Sequence, residues 1–371
     1  MYEYPIMTER NNYEELDLFW EQIKVKRIFL VCDSSMIQIP LGKYFDKLEN
    51  RTGIVVDRFS SFSSNPTHDS VVKGIEAFQK ERYDIIVAVG GGSAIDVAKC
   101  IRLHYEKKLN EIEQNISAQM KFLAVPTTAG TGSEATRFAV IYYHGNKKSI
   151  EDRRCIPSAV LMDSSALLTL PEYQRKVTMM DALCHGLESF WSINSTEHSR
   201  KYSAEAIRLV LKYKDSYLAN SQEGNTGMLY AANIAGRAIN IAKTTAGHAM
   251  CYKITSMYGI AHGHAATLCV ARLWPYMISH LDQCTDKRGS KYLESIFESI
   301  AEAMECSNVN GAIDKFVSIV DELKLTVPRI QNLTEIQKLQ TCVNPERLKN
   351  NPIQLEEKEI RQLYYQILEY E

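Results

Sequence analysis

Short apolar runs alternate with longer stretches of helical spacing through the first half of the chain. Arg27–Cys32, Ile54–Val56, Ile85–Val89 and Phe122–Val125 are rich in Val and Ile and bounded by turn residues, which predicts buried strands. Ser70–Lys80 and Ala94–Arg102, with apolar positions at helical spacing, are expected as helices. Strand–helix alternation predicts a parallel sheet covered on both faces. Phe138–Tyr142 and Ala159–Met162 are expected as two more strands, forming a hairpin that closes the domain. The texture changes at Pro171: helical patterns run from Tyr173 onward and strong strand candidates vanish. The expected organisation is an α/β domain over 1–166 and an all-α domain over 167–371, with a loop at Val343–Pro352 and a last charged helix from Leu355 to Glu371.

Composition narrows the class. A chain of 371 residues can build two cores, and 45% hydrophobic with 24% charged residues is ordinary for a globular protein. A net charge of −2, without a basic run, argues against nucleic acid or an anionic membrane as partner. Met1-Tyr2-Glu3-Tyr4-Pro5 lacks the positive region and apolar core of a secretory leader. The nine cysteines are scattered without a CxxC pair, which fits reduced, mostly buried thiols in a cytoplasmic protein. Cys184 and Cys251 are read as packing residues.

Two segments are suited to hold phosphate. Asp84 to Lys99 reads as strand, Gly turn and helix, with Gly90-Gly91-Gly92-Ser93 at the turn. Consecutive glycines let backbone approach a phosphate, and the N–H groups opening a helix attract anions. Such a turn also serves packing alone. Val125 to Glu134, with Thr127, Thr128 and Thr131, again follows a strand; it is either a second lip of the same site or a loop capping the next helix. Asp33, after the first of these strands, can accept hydrogen bonds from a ribose and repel a 2'-phosphate, or simply cap its own turn.

Asp181 and His185 stand one helical turn apart in Asp181-Ala182-Leu183-Cys184-His185, so both face one way. His248 and His262 follow in two later segments, separated by enough chain for a helix and a returning turn. One carboxylate and three imidazoles form a candidate shell for a divalent transition metal, which would polarise a carbonyl or an alcohol. Glu188 shares the face of Asp181 and His185; it is either an outer partner of the ligands or, as expected here, a partly solvated surface residue, and His264 and His68 are expected not to be ligands.

In this order, the Asp33 turn, GGGS, PTTAGTGSE, DALCHGLES and AHGHA resemble the iron-containing (group III) alcohol dehydrogenase family over nearly the whole chain. The resemblance implies a Rossmann-like α/β domain followed by a helical domain, the dehydroquinate synthase-like fold, with NAD(P) in the cleft between them. It implies Asp181, His185, His248 and His262 as ligands of Fe2+ or Zn2+. It implies Asp33, Gly91, Gly92, Ser93, Asp96, Thr127, Thr128, Thr131 and Lys148 as cofactor positions, and a homo-oligomer such as a dimer. Asp33 favours NAD(H) over NADP.

The chain departs from the family at Tyr252, where members usually carry a further histidine four residues after the third ligand. Either the relay runs through the phenol or water, or the residue contacts the substrate. The stretch AGHAMxYKxTSxYGxAHGHA is similar to a subgroup that reduces phosphonoacetaldehyde to 2-hydroxyethylphosphonate. A phosphonate needs basic partners, and Lys253, Arg137 and Arg154 are the candidates. The implied activity is that of a metal-dependent NAD(H)-linked alcohol dehydrogenase or aldehyde reductase. Its rivals are a short primary alcohol, lactaldehyde or a semialdehyde as substrate, a lyase of the dehydroquinate synthase type, and a nucleotide- or metal-binding protein without turnover.

Overall fold

The computed structural model describes residues 4–9, 11–112, 119–144 and 146–370. The opening Met1-Tyr2-Glu3, read above for a leader, lies outside them. Contacts divide the chain into two compact units, Met1–Pro171 with Ala219–Asn233, and Glu172–Leu218 with Ile234–Glu371.

The first unit is built on eight strands: β1 (Ile6–Thr8), β2 (Arg27–Cys32), β3 (Val55–Phe59), β4 (Ile85–Gly90), β5 (Lys121–Pro126), β6 (Phe138–Tyr143), β7 (Asn146–Glu151) and β8 (Ala159–Met162). Six form one parallel sheet in the order β1-β8-β5-β4-β2-β3. Successive side chains of a strand face opposite ways, and the two faces bury separate cores. Leu30, Val87, Leu123 and Leu161 pack on one side with Leu16, Trp20 and Phe45 of α1 (Glu14–Ile23) and α2 (Pro40–Thr52). Phe29, Ile86 and Phe122 pack on the other with Val71, Ile95 and Ile101 of α3 (His68–Phe78) and α4 (Gly92–Ile112).

The expected hairpin of Phe138–Tyr142 with Ala159–Met162 is not formed. β6 pairs antiparallel with β7, while β8 lies in the parallel sheet between β1 and β5. The reason is legible in hindsight: Ala159–Met162 is an unbroken apolar run suited to a strand covered on both faces, whereas the charged Asn146–Glu151 hides its strand character. Ala219–Asn233 is tied to this unit by side-chain bonds. Asn220 Nδ2 donates to Leu168 O at 3.0 Å, Gln222 Nε2 to Ser164 Oγ at 2.7 Å and Asn233 Nδ2 to Glu134 Oε1 at 3.1 Å.

The second unit is helical: α5 (Glu172–Trp191), α6 (Glu197–Leu218), the later part of α7 (Gln222–Ala242), α8 (Ala246–Tyr258), α9 (His262–Ser279), α10 (Ser290–Ala303), α11 (Val309–Leu323), α12 (Leu333–Thr341), α13 (Pro345–Leu348) and α14 (Glu357–Ile367). Val177 and every residue from Met179 to Trp191 are buried, so α5 is the central helix, with α6 and α9 against it. Three expectations need correction. The stretch expected as a loop holds α13, N-capped by Asn344. The last helix ends at Ile367, and two short parallel strands, β9 (Arg329–Ile330) and β10 (Glu369–Tyr370), pair in a unit expected to be all-α. No helix among the described residues is long and apolar enough to cross a membrane.

Candidate metal centre and nucleotide loops

Helices α5, α8 and α9 bring their ligands together because one position carries no side chain. A Cβ on Gly263 would lie 2.1 Å from Val177 O and 2.8 Å from the Asp181 Cβ, so the first turn of α9 presses directly on α5. Tyr173 Oη holds the same turn from outside, accepting from Ala261 N at 3.0 Å and lying 3.0 Å from His264 Nδ1. His262 opens α9, and His248 sits in the first turn of α8, which ends at Gly259 in the left-handed region (φ +67°).

One donor atom from each of Asp181, His248 and His262 falls within 4.8 Å of the others. Asp181 is 2% exposed and His248 2%. Asp181 Oδ1 and His248 Nε2 are buried, 3.4 Å apart, and neither has a hydrogen-bond partner. Two buried polar atoms without partners facing one point are costly unless a cation or proton lies between them, so the donor set fits a divalent metal. His185 stands beside this group: Nε2 is 4.0 Å from Asp181 Oδ1, and its ring stacks on that of His248 with centroids 4.6 Å apart. Burial would raise the Asp181 carboxyl, but the positive charges of His185, His248 and His262 around it hold it well below the usual range.

Glu188 corrects the expectation of a solvated side chain. It is 0% exposed, and Oε1 accepts from Thr245 N at 3.1 Å, Thr245 Oγ1 at 2.7 Å and His248 N at 3.2 Å, while Oε2 is bonded to His248 Nδ1. Burial favours its neutral form, but His248 and these donors keep it ionised, with a lowered pKa. Burial likewise favours neutral His248, yet the two flanking carboxylates, Glu188 first, push it up to about 9. Sequence reading held this role only as the lesser alternative, because a Glu one turn beyond a histidine looks the same on a solvated helix.

Tyr252 stacks on the His262 ring with centroids 5.5 Å apart. Burial pushes its phenol up, opposed by the charge of Arg347, with which it shares a hydrogen bond. Arg347 lies on α13, which is anchored to α8 by Asn344 N donating to Ala249 O at 3.2 Å. No sequence signal singled Arg347 out, because its segment was expected as a loop. Lys253 follows on α8, half-buried. Cys184 and Cys251 are fully buried; Cys251 Sγ lies 3.5 Å from His262 Nδ1. His264, which faces Tyr173, and His68, half-exposed beside Asp69, lie outside the donor group.

In the first unit, Asp33, the GGGS turn and the threonine loop follow the C-terminal ends of β2, β4 and β5, three adjacent strands. β3 and β5 lie on opposite sides of this pair, so β2 and β4 flank the switch point where open parallel sheets bind ligands. A Cβ on Gly91 would lie 3.2 Å from Thr128 Cγ2, and one on Gly92 3.1 Å from Thr131 Oγ1, so the glycines let the two segments meet. Asp33 Oδ1 accepts from Ser35 N at 2.9 Å, and Asp33 Oδ2 would sit 3.2 Å from a Cβ on Gly90. Ser93 Oγ accepts from Asn65 N at 3.2 Å.

Asp96 faces protein: Oδ1 accepts from Ser133 Oγ at 2.6 Å and Oδ2 from Val140 N at 2.9 Å. In this structure it ties α4 to the threonine loop and β6. Lys148 is exposed on β7, and the lysine whose charge reaches Asp96 is its neighbour Lys147. Arg137 pairs with Glu151 at 2.9 Å and Arg154 with Asp152 at 2.7 Å, both in the first unit.

With this geometry in hand, the relatives are informative. Residues 5–164 match the family model "Iron-containing alcohol dehydrogenase", and residues 176–368 match "Fe-containing alcohol dehydrogenase family, C-terminal". The chain belongs to the iron-containing alcohol dehydrogenase family. It is an oxidoreductase of the NAD-dependent alcohol dehydrogenase type. It is 30% identical over 273 residues to the phosphonoacetaldehyde reductase of Streptomyces viridochromogenes, covering 68% of this chain and 69% of that one. The aldehyde-alcohol dehydrogenase of Streptococcus pneumoniae is 30% identical over 277 residues, 69% of this chain but 31% of that longer protein. The fold is that of the sulfoacetaldehyde reductase of Bifidobacterium kashiwanohense solved with NAD+, at a TM-score of 0.85 and 23% identity over 100% of this chain and 99% of that one.

Proposed function

We propose that this protein is an NADH-linked, metal-dependent reductase of small aldehydes with an anionic tail, converting phosphonoacetaldehyde to 2-hydroxyethylphosphonate. The observation that carries the reading is the convergence of Asp181, His248 and His262 within 4.8 Å, with Tyr252 stacked on His262. The match to the Streptomyces phosphonoacetaldehyde reductase supports the substrate.

When bound, Fe2+ or Zn2+ supplies a Lewis acid and the nicotinamide supplies a hydride. Asp181, His248 and His262 would hold the metal, with His185 alongside. The GGGS and threonine loops, Asp33, Gly91, Gly92, Ser93, Thr127, Thr128 and Thr131, would hold NADH, with Asp96 positioning the loop. Tyr252 Oη, kept protonated by burial, stands ready to give its proton to the oxygen that becomes the product hydroxyl. Arg347, bonded to Tyr252, replaces Arg137 and Arg154 as the partner for the phosphonate, since both of those already pair with carboxylates.

The test is NADH oxidation by Fe(II)-loaded protein under anaerobic conditions, with phosphonoacetaldehyde, propionaldehyde and lactaldehyde at matched concentrations. A strong preference for the phosphonate is expected; equal turnover of the neutral aldehydes would discard it and leave a reductase of neutral substrates. Arg347→Gln should lower kcat/KM for phosphonoacetaldehyde by about 10–100-fold, the worth of a charged hydrogen bond of roughly 1.5–3 kcal/mol. Propionaldehyde should be little affected, and a parallel loss on both substrates would remove Arg347 from anion recognition. Asp33→Gly should raise the NADPH to NADH preference by at least about fivefold, since two like charges at 4 Å repel by about 1 kcal/mol even in water. An unchanged ratio would count against the repulsion.

A further inference from the structure

We infer that Glu188 is a positioning residue for the metal ligand His248: it fixes the imidazole as the Nδ1–H tautomer and so presents the Nε2 lone pair toward Asp181 and His262. This rests on the metal reading proposed above. Four bonds carry the argument. Oε1 takes three donors, Thr245 N, Thr245 Oγ1 and His248 N, at 2.7 to 3.2 Å, which locks the carboxylate in place. Oε2 is then left facing His248 Nδ1. With Oε1 already accepting three times, Oε2 meets Nδ1 as an acceptor, so Nδ1 carries a hydrogen, and when a metal takes the place of the ring's other proton Nε2 is the ligand atom. Nε2 is the atom found buried without a hydrogen-bond partner, 3.4 Å from Asp181 Oδ1.

The surroundings are built to keep Glu188 in place. Trp191 Nε1 donates to Thr245 Oγ1 at 2.9 Å, so the hydroxyl has its own acceptor role filled and turns its hydrogen to Glu188. A Cβ on Gly247 would lie 3.0 Å from Glu188 Oε1 and 2.7 Å from Val270 Cγ2, so a glycine before His248 leaves the carboxylate its space. A carboxylate that served packing alone would need no bond to a ring nitrogen whose partner nitrogen faces the ligand set.

The decisive measurement is 15N NMR of histidine-labelled, Zn(II)-loaded wild-type protein, with the His248 signals assigned by their loss in His248→Ala. A hydrogen on Nδ1 and none on Nε2 is expected; a hydrogen on Nε2 overturns the inference. The isosteric Glu188→Gln tests the same point energetically. Its amide nitrogen can only donate, which favours the opposite tautomer and hides the ligand lone pair. Zn(II) affinity, read by chelator competition, should fall by roughly 10–100-fold, while NADH binding and thermal melting stay near wild type. Equal Zn(II) affinity in a folded Glu188→Gln overturns the inference but leaves the metal centre standing. A wild-type protein that takes up no Zn(II) or Fe(II) overturns the metal reading, and this inference with it.

Discussion

Asp181→Ala should abolish metal uptake and lower turnover by well over the roughly 100-fold seen when an outer partner of a ligand is lost. Asp181 is the sole carboxylate of the donor group, and His185, His248 and His262 all bear on it. Without it, a divalent cation would meet only imidazoles, with no anion among its ligands to offset its desolvation. Asp181→Asn keeps the shape and removes the charge, so it separates electrostatics from packing. Metal content by mass spectrometry and NADH oxidation with phosphonoacetaldehyde give the readout. A metal-free variant that turned over normally would sink the assignment.

Lys99→Met should destabilise the first unit by about 3–5 kcal/mol, the cost typical of breaking a buried charged cluster. Lys99 is 0% exposed, and its Nζ shares its three hydrogens among Phe138 O at 2.6 Å, Ser133 O at 2.7 Å, Ser133 Oγ at 3.0 Å and Thr136 Oγ1 at 3.1 Å. Burial draws its pKa down, against the pull of Asp96, one turn earlier. Methionine fills the volume of the stem but leaves the oxygens of the loop after Gly132 without a donor. A fall on the order of 10 °C in melting is expected, with weaker NADH binding because the threonine loop loses its anchor. A melting curve within two or three degrees of wild type would show that the cluster contributes little.

The sequence carried some of these features openly and others not at all. β2, β4, β5 and β8 were legible because strands covered on both faces must be apolar throughout, and Arg27–Cys32 or Ala159–Met162 can hardly be anything else. β7 was not, since a two-stranded ribbon with exposed positions tolerates Lys147, Lys148 and Ser149. Asp181, His248 and His262 could be listed from motif and spacing. Their convergence depends on Gly263, whose meaning appears only when α5 lies against it. Glu188 was set down as solvated in preference to an outer partner, and Arg347 was not singled out, for a shared reason: a charged residue on a helix or in an expected loop is read as solvated, and only long-range packing shows otherwise.

Ala219–Asn233 belongs to the first unit, and this bears on how the chain is made. A ribosome delivers residues in order, and domains generally fold as they emerge. Here the sheet of the first unit is complete at Met162, but the segment that bonds Leu168, Ser164 and Glu134 follows only after α5 and α6. The nascent first unit therefore waits, unfinished, while the helix bearing Asp181 and His185 is already outside the tunnel. A gene cut at the end of the sheet would yield a fragment lacking the segment that bonds Leu168, Ser164 and Glu134.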